Sequence, residues 1–495
     1  MKNIISLIYY LATLVYYDAL FFCKKLPVIN ILILPLRIFT VLHLGKSRGE
    51  RLCIAFNRMG PTFIKLGQLL SCRSDLVGAK MANDLSALQD SLPAAKFSKI
   101  NKQIEQDLQG TIGNKFLEFN PIAISVASIS EVFKATTHDQ QLVAVKVLRP
   151  KIKQRFKRDI SLLFFFAHLA NIFPRLKRLR PVDVIKTFQA TSMRELDLRF
   201  EAASNSELSD NLKSNPNIQI PKIHWELTSE NILVSEWIEG TKISHKNELK
   251  ARDHNITKIA EDLLLCYFDM AYRDGLFHAD LHPGNILITH SGKIVLIDFG
   301  IVGRLSKDDR IYVTKILDGF IRKDYAHVAK IHLDAGYIPR STNVADFALA
   351  CRSIGEPLFN KPLDQISIAR LLELLFRITE NYGMETQPQL LLLQKTLLTV
   401  EGVVSHLDSN VNIWELGRPW MENWGKENMG PKAHIKDLAD KSSQMLHKLP
   451  SIIDDLADML EQSKSNKSQL AKKMSLYKAL LAALIIGAII GKIFL

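Results

Sequence analysis

Cysteine is scarce in this sequence: the 495 residues include five, and no two of them form a Cys-x-x-Cys pair. They are spread over the chain as Cys23, Cys53, Cys72, Cys266 and Cys351. A secreted disulfide scaffold uses an even number of cysteines at short spacings, which this odd and scattered set does not provide. The sequence therefore predicts a protein of a reducing compartment without a disulfide framework.

The chain also lacks the signatures of a nucleic-acid-binding protein, although its formal net charge is +13. No zinc-finger spacing occurs, and no basic stretch is interleaved with aromatic residues. The positive charge is concentrated in three runs, at residues 151–158, 175–180 and 464–473. Such runs are typical either of a solvated surface or of a surface that faces phosphates or an anionic membrane. We therefore expect no nucleic-acid partner.

The apolar N-terminus lacks the Ala-x-Ala site of a cleaved signal peptide. Bulky Phe22 precedes the first cysteine, which argues against lipoprotein processing. Residues 1–50 are rich in apolar and aromatic side chains but include Asp18, and the second apolar run, residues 28–44, contains a proline and an arginine. We predict that residues 1–50 form an interfacial or membrane-associated segment.

The last 17 residues (ALLAALIIGAIIGKIFL) carry a single charge, Lys492. As a helix they would be about 25 Å long, near the lower limit for crossing a bilayer. We predict a transmembrane helix at residues 476–495 after a polar linker at 436–475, with a buried C-terminal helix as the alternative. Lysines precede the apolar run, so the main body is expected in the cytoplasm. Gly487 and Gly491 have the GxxxG spacing of a helix-pairing face, which would support a homodimer.

The middle of the chain divides by pattern into a helical part, a β-rich part and a second helical part. Residues 51–120 are predicted to form a helical extension, with the helices over residues 51–110, and residues 121–240 begin with a strand–turn–strand pattern that ends in LVAVKVL. Residues 241–435 are mostly helical but contain two short strands at 286–289 and 293–297. A small β-rich unit next to a helical unit, with acids on loops at their border, is typical of a nucleotide-binding cleft.

Five polar residues follow one another in an order that suits phosphoryl transfer. Lys146 lies inside an apolar strand, where a lysine is costly unless it is paired or bound to an anion. Glu201, on a later helix, is its candidate partner. Asp280 would accept or orient the proton of an attacking hydroxyl, and Asn285 and Asp298 supply the hard oxygen ligands that Mg²⁺ prefers.

Two histidines flank the candidate catalytic acid Asp280. His278 and His282, together with this acid, have the composition of a zinc site. We favour a packing role instead, in which His278 orients the loop.

The order of a strand lysine, a helix glutamate, His-x-Asp-x4-Asn and Asp-Phe-Gly resembles the protein-kinase signature. It implies an α+β, two-lobed kinase-like fold and ATP bound under the loop before the lysine strand. That loop is formed by Ile124, Ser125, Val126, Ala127, Ser128, Ile129, Ser130, Glu131 and Val132.

The departures from the kinase pattern are as informative as the matches. No glycine occurs in residues 121–135, so the loop is stiffer than a Gly-rich lid. Ala279 replaces the arginine of the usual His-Arg-Asp, which argues against control by an arginine-paired phosphate. Arg304 and Leu305 lead from Asp-Phe-Gly straight into a helix, with no Ala-Pro-Glu and no long segment to seat a peptide.

Further motifs make the resemblance specific. Lys65 and Gln68 lie on one helix face in GPTFIKLGQLL, where an ordinary surface face is the alternative. Lys65-Leu66-Gly67-Gln68 resembles the KxGQ motif of the UbiB family of atypical kinase-like proteins, and Glu195-Leu196-Asp197 resembles its ExD motif. FHADLHPGN, IDFGIVG and QKTLLTVEGV also match, and the glycine-free loop is similar to that family's alanine-rich loop, with Glu131 where glutamine is usual.

This resemblance implies a bacterial inner-membrane protein that binds ATP or ADP with Mg²⁺, has ATPase-like activity and serves ubiquinone biosynthesis. Implied partners are membrane lipids, lipid-tailed ubiquinone precursors and other enzymes of that pathway. The KxGQ helix would lie over the active site, which gives a gating role to Lys65, Gln68, Glu195 and Asp197. The alternatives are a true kinase, acting on a protein or a small molecule such as a lipid, and a non-catalytic lipid-binding scaffold.

Overall fold

A computed structural model describes most of the chain. The described residues are 2–19, 46–71, 77–88, 93–173, 177, 180–359, 367–383 and 387–429. The predictions for the run at 28–44, the linker at 436–475 and the membrane helix at 476–495 lie outside these residues.

The described residues form seventeen α-helices and eleven short strands. The helices are α1 (Lys2–Tyr16), α2 (Arg48–Met59), α3 (Pro61–Ser71), α4 (Ala79–Leu85), α5 (Phe97–Asp107), α6 (Ile112–Lys115), α7 (Ile152–Asn171), α8 (Pro181–Glu195), α9 (Leu198–Leu212), α10 (Lys246–Ala251), α11 (Ile256–Phe268), α12 (Lys307–Ile321), α13 (Tyr325–Asp334), α14 (Val344–Phe359), α15 (Ile368–Asn381), α16 (Pro388–Leu407) and α17 (Ile413–Met429). The strands are β1 (Glu118–Phe119), β2 (Ser125–Val126), β3 (Ser130–Thr136), β4 (Leu142–Leu148), β5 (Ile218–Gln219), β6 (Ile232–Glu236), β7 (Thr241–Lys242), β8 (Leu276–His278), β9 (Ile286–Ile288), β10 (Ile294–Leu296) and β11 (Val302–Arg304).

The first sheet is antiparallel, with strand order β1-β3-β4-β6. Strand β2 pairs with the beginning of β3, at Glu131 and Val132. Side chains alternate between the two faces of the sheet along β4, because successive residues of a strand point to opposite sides. Val143, Val145 and Val147 are buried on one face, in a cluster with Ile100 and Ile104 of α5. This sheet is the N-lobe.

The other face of the N-lobe sheet carries the lysine. Lys146 pairs with Val132 on β3 and with Leu233 on β6, so these three side chains share a face. Leu233 belongs to a cluster that also contains Leu198 and Ala202 of α9. The alternation therefore turns Lys146 toward the helix that carries Glu201, and away from the valine core.

The C-lobe is helical and is built around α11, which is buried along most of its length. A four-stranded sheet, β5-β10-β9-β7, lies at its border with the N-lobe, and Gly240 precedes β7 where the chain crosses between the lobes. A Cβ on Gly240 would come within 2.9 Å of the Ile288 carbonyl oxygen, so only glycine fits this crossing without a shift.

A two-stranded ladder joins the loops that carry the candidate catalytic and metal-binding acids. Strand β8, which precedes Asp280, pairs antiparallel with β11, which follows Asp298, and His278 lies opposite Val302. A Cβ on Gly303 would clash with the ring of Phe277, so the two strands approach as closely as they do because residue 303 has no side chain.

The helices before the N-lobe form an extension that packs on α7, α8 and α9. Its core contains buried residues of α2 and α3, among them Phe56 and Phe63. The N-terminal helix α1 joins this core through Tyr10, while Ile5 and Ile8 are 64% and 61% exposed. Helix α1 thus has one face on the protein and one apolar face that is uncovered.

Among the described residues, one helix is long and apolar enough to cross a membrane, α16. Half of it is buried, including Leu393 and Leu397 in the C-lobe core, and the Tyr267 hydroxyl donates a hydrogen bond to the Leu393 carbonyl at 2.9 Å. Its packing is that of a core helix, and its apolar composition is weak evidence for a membrane anchor.

The predicted strands at 142–148, 286–289 and 293–297 are confirmed to within a residue or two. The helical character of residues 51–110 and of 305 onward is also confirmed for the described residues. Pro181 begins α8, because proline fits the first turn of a helix, where its missing N–H is not needed.

Gly67 lies where α3 packs against α2, and a Cβ there would clash with Leu88 and come within 2.8 Å of the Phe56 ring. We expect Gly67→Ala to lower the free energy of unfolding by about 1–2 kcal/mol, since overpacking outweighs the better helix propensity of alanine. Gly402→Ala, in the interior of α16 with open space around it, is the matched control and should be neutral or stabilising. Thermal unfolding midpoints in one buffer test the pair, and equal shifts would contradict the packing argument.

Candidate active site

The centre of the site is a lysine held between two carboxylates. The Lys146 ammonium lies 2.7 Å from Glu201 Oε1 and 2.9 Å from Asp298 Oδ1. Strand β4, helix α9 and the loop after β10 each bring one of the three groups. Glu201 is the partner expected from the sequence, and the structure brings all three together although 152 residues separate the lysine from Asp298.

Burial and charge act together on these groups. Burial alone would lower the pKa of Lys146, but Asp298 and Glu201 outweigh it and raise the pKa. Burial raises the pKa of Glu201 to about 7, against the opposing effect of Lys146. The pKa of Asp298 lies well below its usual range because Lys146 more than offsets its burial. Two carboxylates face one lysine, so the cluster is short of positive charge and suits an added cation.

Asp298 projects into the cleft from the end of β10. Its backbone is left-handed, with φ of 64°, a conformation that aspartate tolerates better than most residues. Half of its side-chain surface is exposed, whereas Glu201 beneath it is 10% exposed. The Asp298 carboxylate is thus accessible from the cleft, whereas the Glu201 carboxylate is buried and contacts the Lys146 ammonium.

The candidate catalytic loop is ordered by His278, which is fully buried. Burial lowers the pKa of His278, so the ring is neutral. Its Nε2–H donates to the Ile297 carbonyl at 3.0 Å, and its Nδ1 accepts from the Asp280 N–H at 3.1 Å. These two bonds tie the residue before Asp298 to the backbone of Asp280, which is the orienting role expected for His278.

Asn285 is placed next to the same two acids. Its side-chain Nδ2 donates to the Asp280 carbonyl at 3.0 Å, which leaves the amide oxygen as the group able to bind a cation. Its own carbonyl accepts from the Ile297 N–H at 3.0 Å. His282 lies beside Asp280, with 3.8 Å between Nε2 and Oδ2, and its Nδ1 accepts from the Gly284 N–H.

The glycine-free loop is the turn between β2 and β3. The Ala127 N–H donates to the Ser130 carbonyl at 2.9 Å, which closes the turn. Arg149 holds it from below: its side-chain Nε donates to the Ala127 carbonyl at 3.1 Å, and its backbone N–H donates to the Ile129 carbonyl at 2.8 Å. The loop is therefore braced by the chain that follows Lys146, in agreement with a stiff lid.

Glu131, predicted as part of the nucleotide-binding loop, lies on the other face of the sheet. It pairs with Val147, whereas Val132 pairs with Lys146. The Glu131 carboxylate is buried, accepts from the Ala95 N–H at 2.7 Å and lies 3.3 Å from Arg149 Nη2. Through Ala95, the Glu131 carboxylate connects the loop to the segment that precedes α5.

The extension reaches the site through α3. The Lys65 ammonium lies 3.0 Å from Glu195 Oε2, and both side chains are largely buried. Lys65 also contributes to lowering the pKa of Asp298, so its charge acts on the candidate metal ligand. Gln68 follows one turn later and is half-buried. Of the four predicted gating residues, Lys65 and Glu195 are thus joined across the contact of α3 with α8, and Asp197 lies two residues after Glu195.

Asp197 has a local role at the start of α9. It caps the helix, accepting from the Arg199 N–H at 3.2 Å and from Arg199 Nη2 at 2.7 Å. The hydrogen bonds from Arg199 lower the pKa of Asp197 despite partial burial. Helix α9 carries Glu201 in its first turn, so this cap fixes the start of the helix that supplies the lysine's partner.

The donor set fits a magnesium nucleotide. Asp298 and Asn285 are hard oxygen ligands at one edge of the cleft, and Lys146 provides a cation for phosphate. Ser128, in the loop, is fully buried, and its hydroxyl has no hydrogen-bond partner, as expected of a group reserved for a ligand or water. Within the described part of the chain, no three His, Cys, Asp or Glu side chains form a metal-binding group.

Two contributors to the site are missing from the sequence-based prediction. Arg149 follows the lysine strand, and only the fold shows that it braces the loop. Arg304, after Asp-Phe-Gly, forms a bidentate pair with Glu207 of α9, at 2.8 Å between Nη1 and Oε1. This pair gives α9 a second contact with the segment that follows Asp298. A basic residue in a short strand does not by itself predict such an ion pair from the sequence.

Two family models match separate parts of the chain, in order. Residues 87–332 match the model of the ABC1 atypical kinase-like domain, and residues 351–412 match the model of the UbiB helical domain. A solved structure of Rv3197 with erythromycin, from Mycobacterium tuberculosis, is 25% identical with a TM-score of 0.47, and covers 71% of this chain and 90% of that one.

Curated relatives match over most of their length. A "Probable protein kinase UbiB" of Marinobacter nauticus is 39% identical over 444 residues, which are 87% of this chain and 81% of the relative. Relatives of the same name from Aliivibrio fischeri and Histophilus somni are each 36% identical, covering 88% and 92% of this chain and 81% and 86% of theirs. With the kinase-like site assembled and both domain models matched in order, the chain belongs to the UbiB family of atypical kinase-like proteins.

Proposed function

We propose that this protein is a membrane-anchored, kinase-like ATPase that serves ubiquinone biosynthesis, acting on or presenting lipid-tailed precursors or regulating their hydroxylation. The observation that carries the proposal is the cluster of Lys146, Glu201 and Asp298 in one cleft, where a carboxylate oxygen of each acid lies within 3 Å of the lysine ammonium. Membership of the UbiB family supports the pathway. The lipid and the protein partners are inferred from that membership alone.

Each residue of the cluster has a distinct task in phosphoryl transfer. Lys146, kept charged by two carboxylates, would bind the phosphates of ATP or ADP, and Glu201 would fix the ammonium in place. Asp298 and Asn285 would hold Mg²⁺, which when bound neutralises phosphate charge. Asp280, whose backbone is held by His278, would accept or orient the proton of the attacking water or hydroxyl.

The path of the chain after Asp298 favours a small or lipid substrate over a peptide. Strand β11 ends at Arg304, and α12 begins at Lys307 with Ser306 as its cap. Only two residues separate β11 from α12, and both lie in the described part of the chain. This connection is too short to form a binding surface for a polypeptide. Hydrolysis of ATP, or transfer to a small acceptor, is therefore the proposed chemistry.

The N-terminal helix supports an interfacial position of the main body. At 15 residues α1 is about 22 Å long, short of the roughly 30 Å of a bilayer core. One of its faces packs on the extension, so the exposed Ile5 and Ile8 are available to the interface. In this proposal the chain would be held to the bacterial inner membrane by its C-terminal apolar residues, with α1 lying against the cytoplasmic surface.

Lys146→Ala is expected to weaken binding of Mg·ADP at least tenfold, because a charge-assisted contact with phosphate is worth about 1.5–3 kcal/mol. Titration of the purified full chain with Mg·ADP, followed by calorimetry, measures the effect. Lys242→Ala, at an exposed position of β7, is the control and should bind as the wild type does. Equal affinities for all three proteins would remove Lys146 from the nucleotide site.

Asp298→Asn is expected to abolish rescue of ubiquinone content in bacteria that lack this protein, because an amide binds Mg²⁺ more weakly than a carboxylate. The readout is ubiquinone per cell by mass spectrometry, with membrane-fraction immunoblots to show equal amounts of protein. Asp318→Asn, which alters an exposed ion pair with Arg322, should rescue fully.

Full rescue by Asp298→Asn would favour the lipid-binding scaffold instead of an ATPase. Failure of the wild type itself, although present in membranes, would contradict the role in ubiquinone biosynthesis. Appearance of a phosphorylated product with the purified protein would favour the true kinase.

A further inference from the structure

Helices α7 and α8 pack on each other and form a hairpin whose base lies beside the nucleotide cluster. Three residues separate β4, which carries Lys146, from α7, and two residues separate α8 from α9, which carries Glu201. At 20 residues α7 is about 30 Å long, so the far end of the hairpin is distant from its base. The nucleotide site therefore does not account for the side chains at the far end.

Helix α7 carries an apolar face that the protein leaves uncovered. Phe156 and Ile160, four residues apart, share one face and are buried in the core of the extension. Phe165, Leu169 and Ile172, four and three residues apart, share another face in the second half of the helix and at its cap. Phe165 is 59% exposed and Ile172 is 72% exposed, so this second face lies in solvent.

Phe166 widens the uncovered face. Its side chain is exposed, and its ring packs edge-on against Phe165 with 5.6 Å between ring centroids. We call Phe165, Phe166, Leu169 and Ile172 the α7 stripe. A contiguous group of large apolar side chains at the end of a hairpin marks a surface for a partner, because single exposed apolar residues would not cluster in this way.

The sequence around the α7 stripe is basic and free of acids. No aspartate or glutamate occurs between Asp159 and Asp183, whereas residues 175–180 (RLKRLR) contain four lysines and arginines. Of these, Lys177 and Arg180 are exposed in the described part of the chain. Phenylalanine and aliphatic side chains next to cations are typical of a protein surface that enters the headgroup region of an anionic membrane.

Helix α1 presents a second uncovered apolar face and is held against α7. The Tyr10 hydroxyl of α1 donates to Asp159 Oδ1 of α7 at 3.0 Å, and both side chains are buried. Ile5 and Ile8 point away from this contact and are exposed. Residues 1–17 contain no acid either. The two uncovered apolar surfaces therefore belong to helices that are fastened to each other.

We propose that the α7 stripe, together with Lys177 and Arg180, is a contact surface for an anionic phospholipid bilayer, with the apolar side chains in the headgroup region and the cations on lipid phosphates. The inference rests on the membrane-anchored part of the proposed function and deepens it. It gives the kinase-like body a lipid contact that is independent of the C-terminal apolar residues. Contacts at both α1 and the α7 stripe limit the rotation that one contact would allow, and so they orient the cleft relative to the membrane.

A second copy of this chain is the other occupant that an apolar stripe could accept. A twofold pairing of two hairpins would bring Lys177 and Arg180 of both copies to one interface, where like charges repel. A bilayer with anionic headgroups has the complementary charge. The charge around the stripe therefore favours lipid over a second copy.

The test places a tryptophan reporter in the α7 stripe of the full-length chain in lipid nanodiscs. Ile172→Trp is the first reporter, and Phe165→Trp is the second, with thermal midpoints to show that each variant is folded. Leu349→Trp is the matched control, because Leu349 is 67% exposed on α14 of the C-lobe. The nanodiscs contain phosphatidylcholine with or without phosphatidylglycerol. Quenching of the added fluorescence by lipids with brominated acyl chains, after subtraction of the wild-type signal, measures contact with the bilayer.

The fluorescence added by Ile172→Trp and by Phe165→Trp is expected to fall about twofold or more in nanodiscs that contain phosphatidylglycerol, because an interfacial side chain reaches the acyl boundary. Quenching should be weaker in phosphatidylcholine alone, where the cations lack anionic headgroups. Adding Lys177→Glu and Arg180→Glu to Ile172→Trp should remove this dependence on phosphatidylglycerol. Leu349→Trp should be quenched in neither type of nanodisc.

Equal quenching of Ile172→Trp and Leu349→Trp would overturn the proposal, and quenching that is the same in both lipid compositions would overturn the anionic preference. Absence of quenching together with a concentration-dependent dimer of the full-length chain would assign the α7 stripe to a second copy. A chain that does not enter the nanodiscs at all would instead contradict the membrane anchoring in the proposed function, so the two failures are distinguishable.

Discussion

The position of one ammonium group between two carboxylates organises this protein. Lys146 is set by strand alternation, Glu201 by a capped helix and Asp298 by the end of a C-lobe strand, so the contact requires both lobes and α9 to be in place. A lysine in an apolar strand would otherwise destabilise the fold. The N-lobe sheet, α9 and the border between the lobes are therefore fixed by the same electrostatic requirement that prepares the cleft for phosphate.

The elements around this contact were predictable where the pattern is local. The β-branched runs with a polar turn between them predict β3 and β4, and period-two alternation explains why Lys146 leaves the valine face. The order of the motifs alone is enough to pair Lys146 with Glu201. The same alternation places the Glu131 side chain on the face opposite Lys146. Glu131 was predicted to bind nucleotide because it belongs to the loop motif, and the strand register was not considered.

Other features could not be predicted because they depend on contacts distant in sequence. Asp159 follows a basic run, and its position in the sequence is typical of a solvated helix face. In the structure it is buried and accepts hydrogen bonds from the hydroxyl groups of Tyr10 and Thr62, which lie 149 and 97 residues away in the sequence. Strands β8 and β11 have three residues each, too few for a periodic signal, and they form only because Gly303 allows close approach to Phe277. The bracing of the loop by Arg149 likewise needs the turn of β2 and β3 to be folded first.

The ladder between β8 and β11 has a consequence for pharmacology. In it, the strand before Asp280 and the strand after Asp298 are fastened to each other, and Phe299 is buried against the neutral ring of His278, with 5.1 Å between ring centroids. Inhibitors that require the Asp-Phe-Gly phenylalanine to swing outward would have to separate this ladder and empty that pocket. Compounds that occupy the cleft with the motif in its present position face no such cost, and they are the better starting point for selective ligands of this protein.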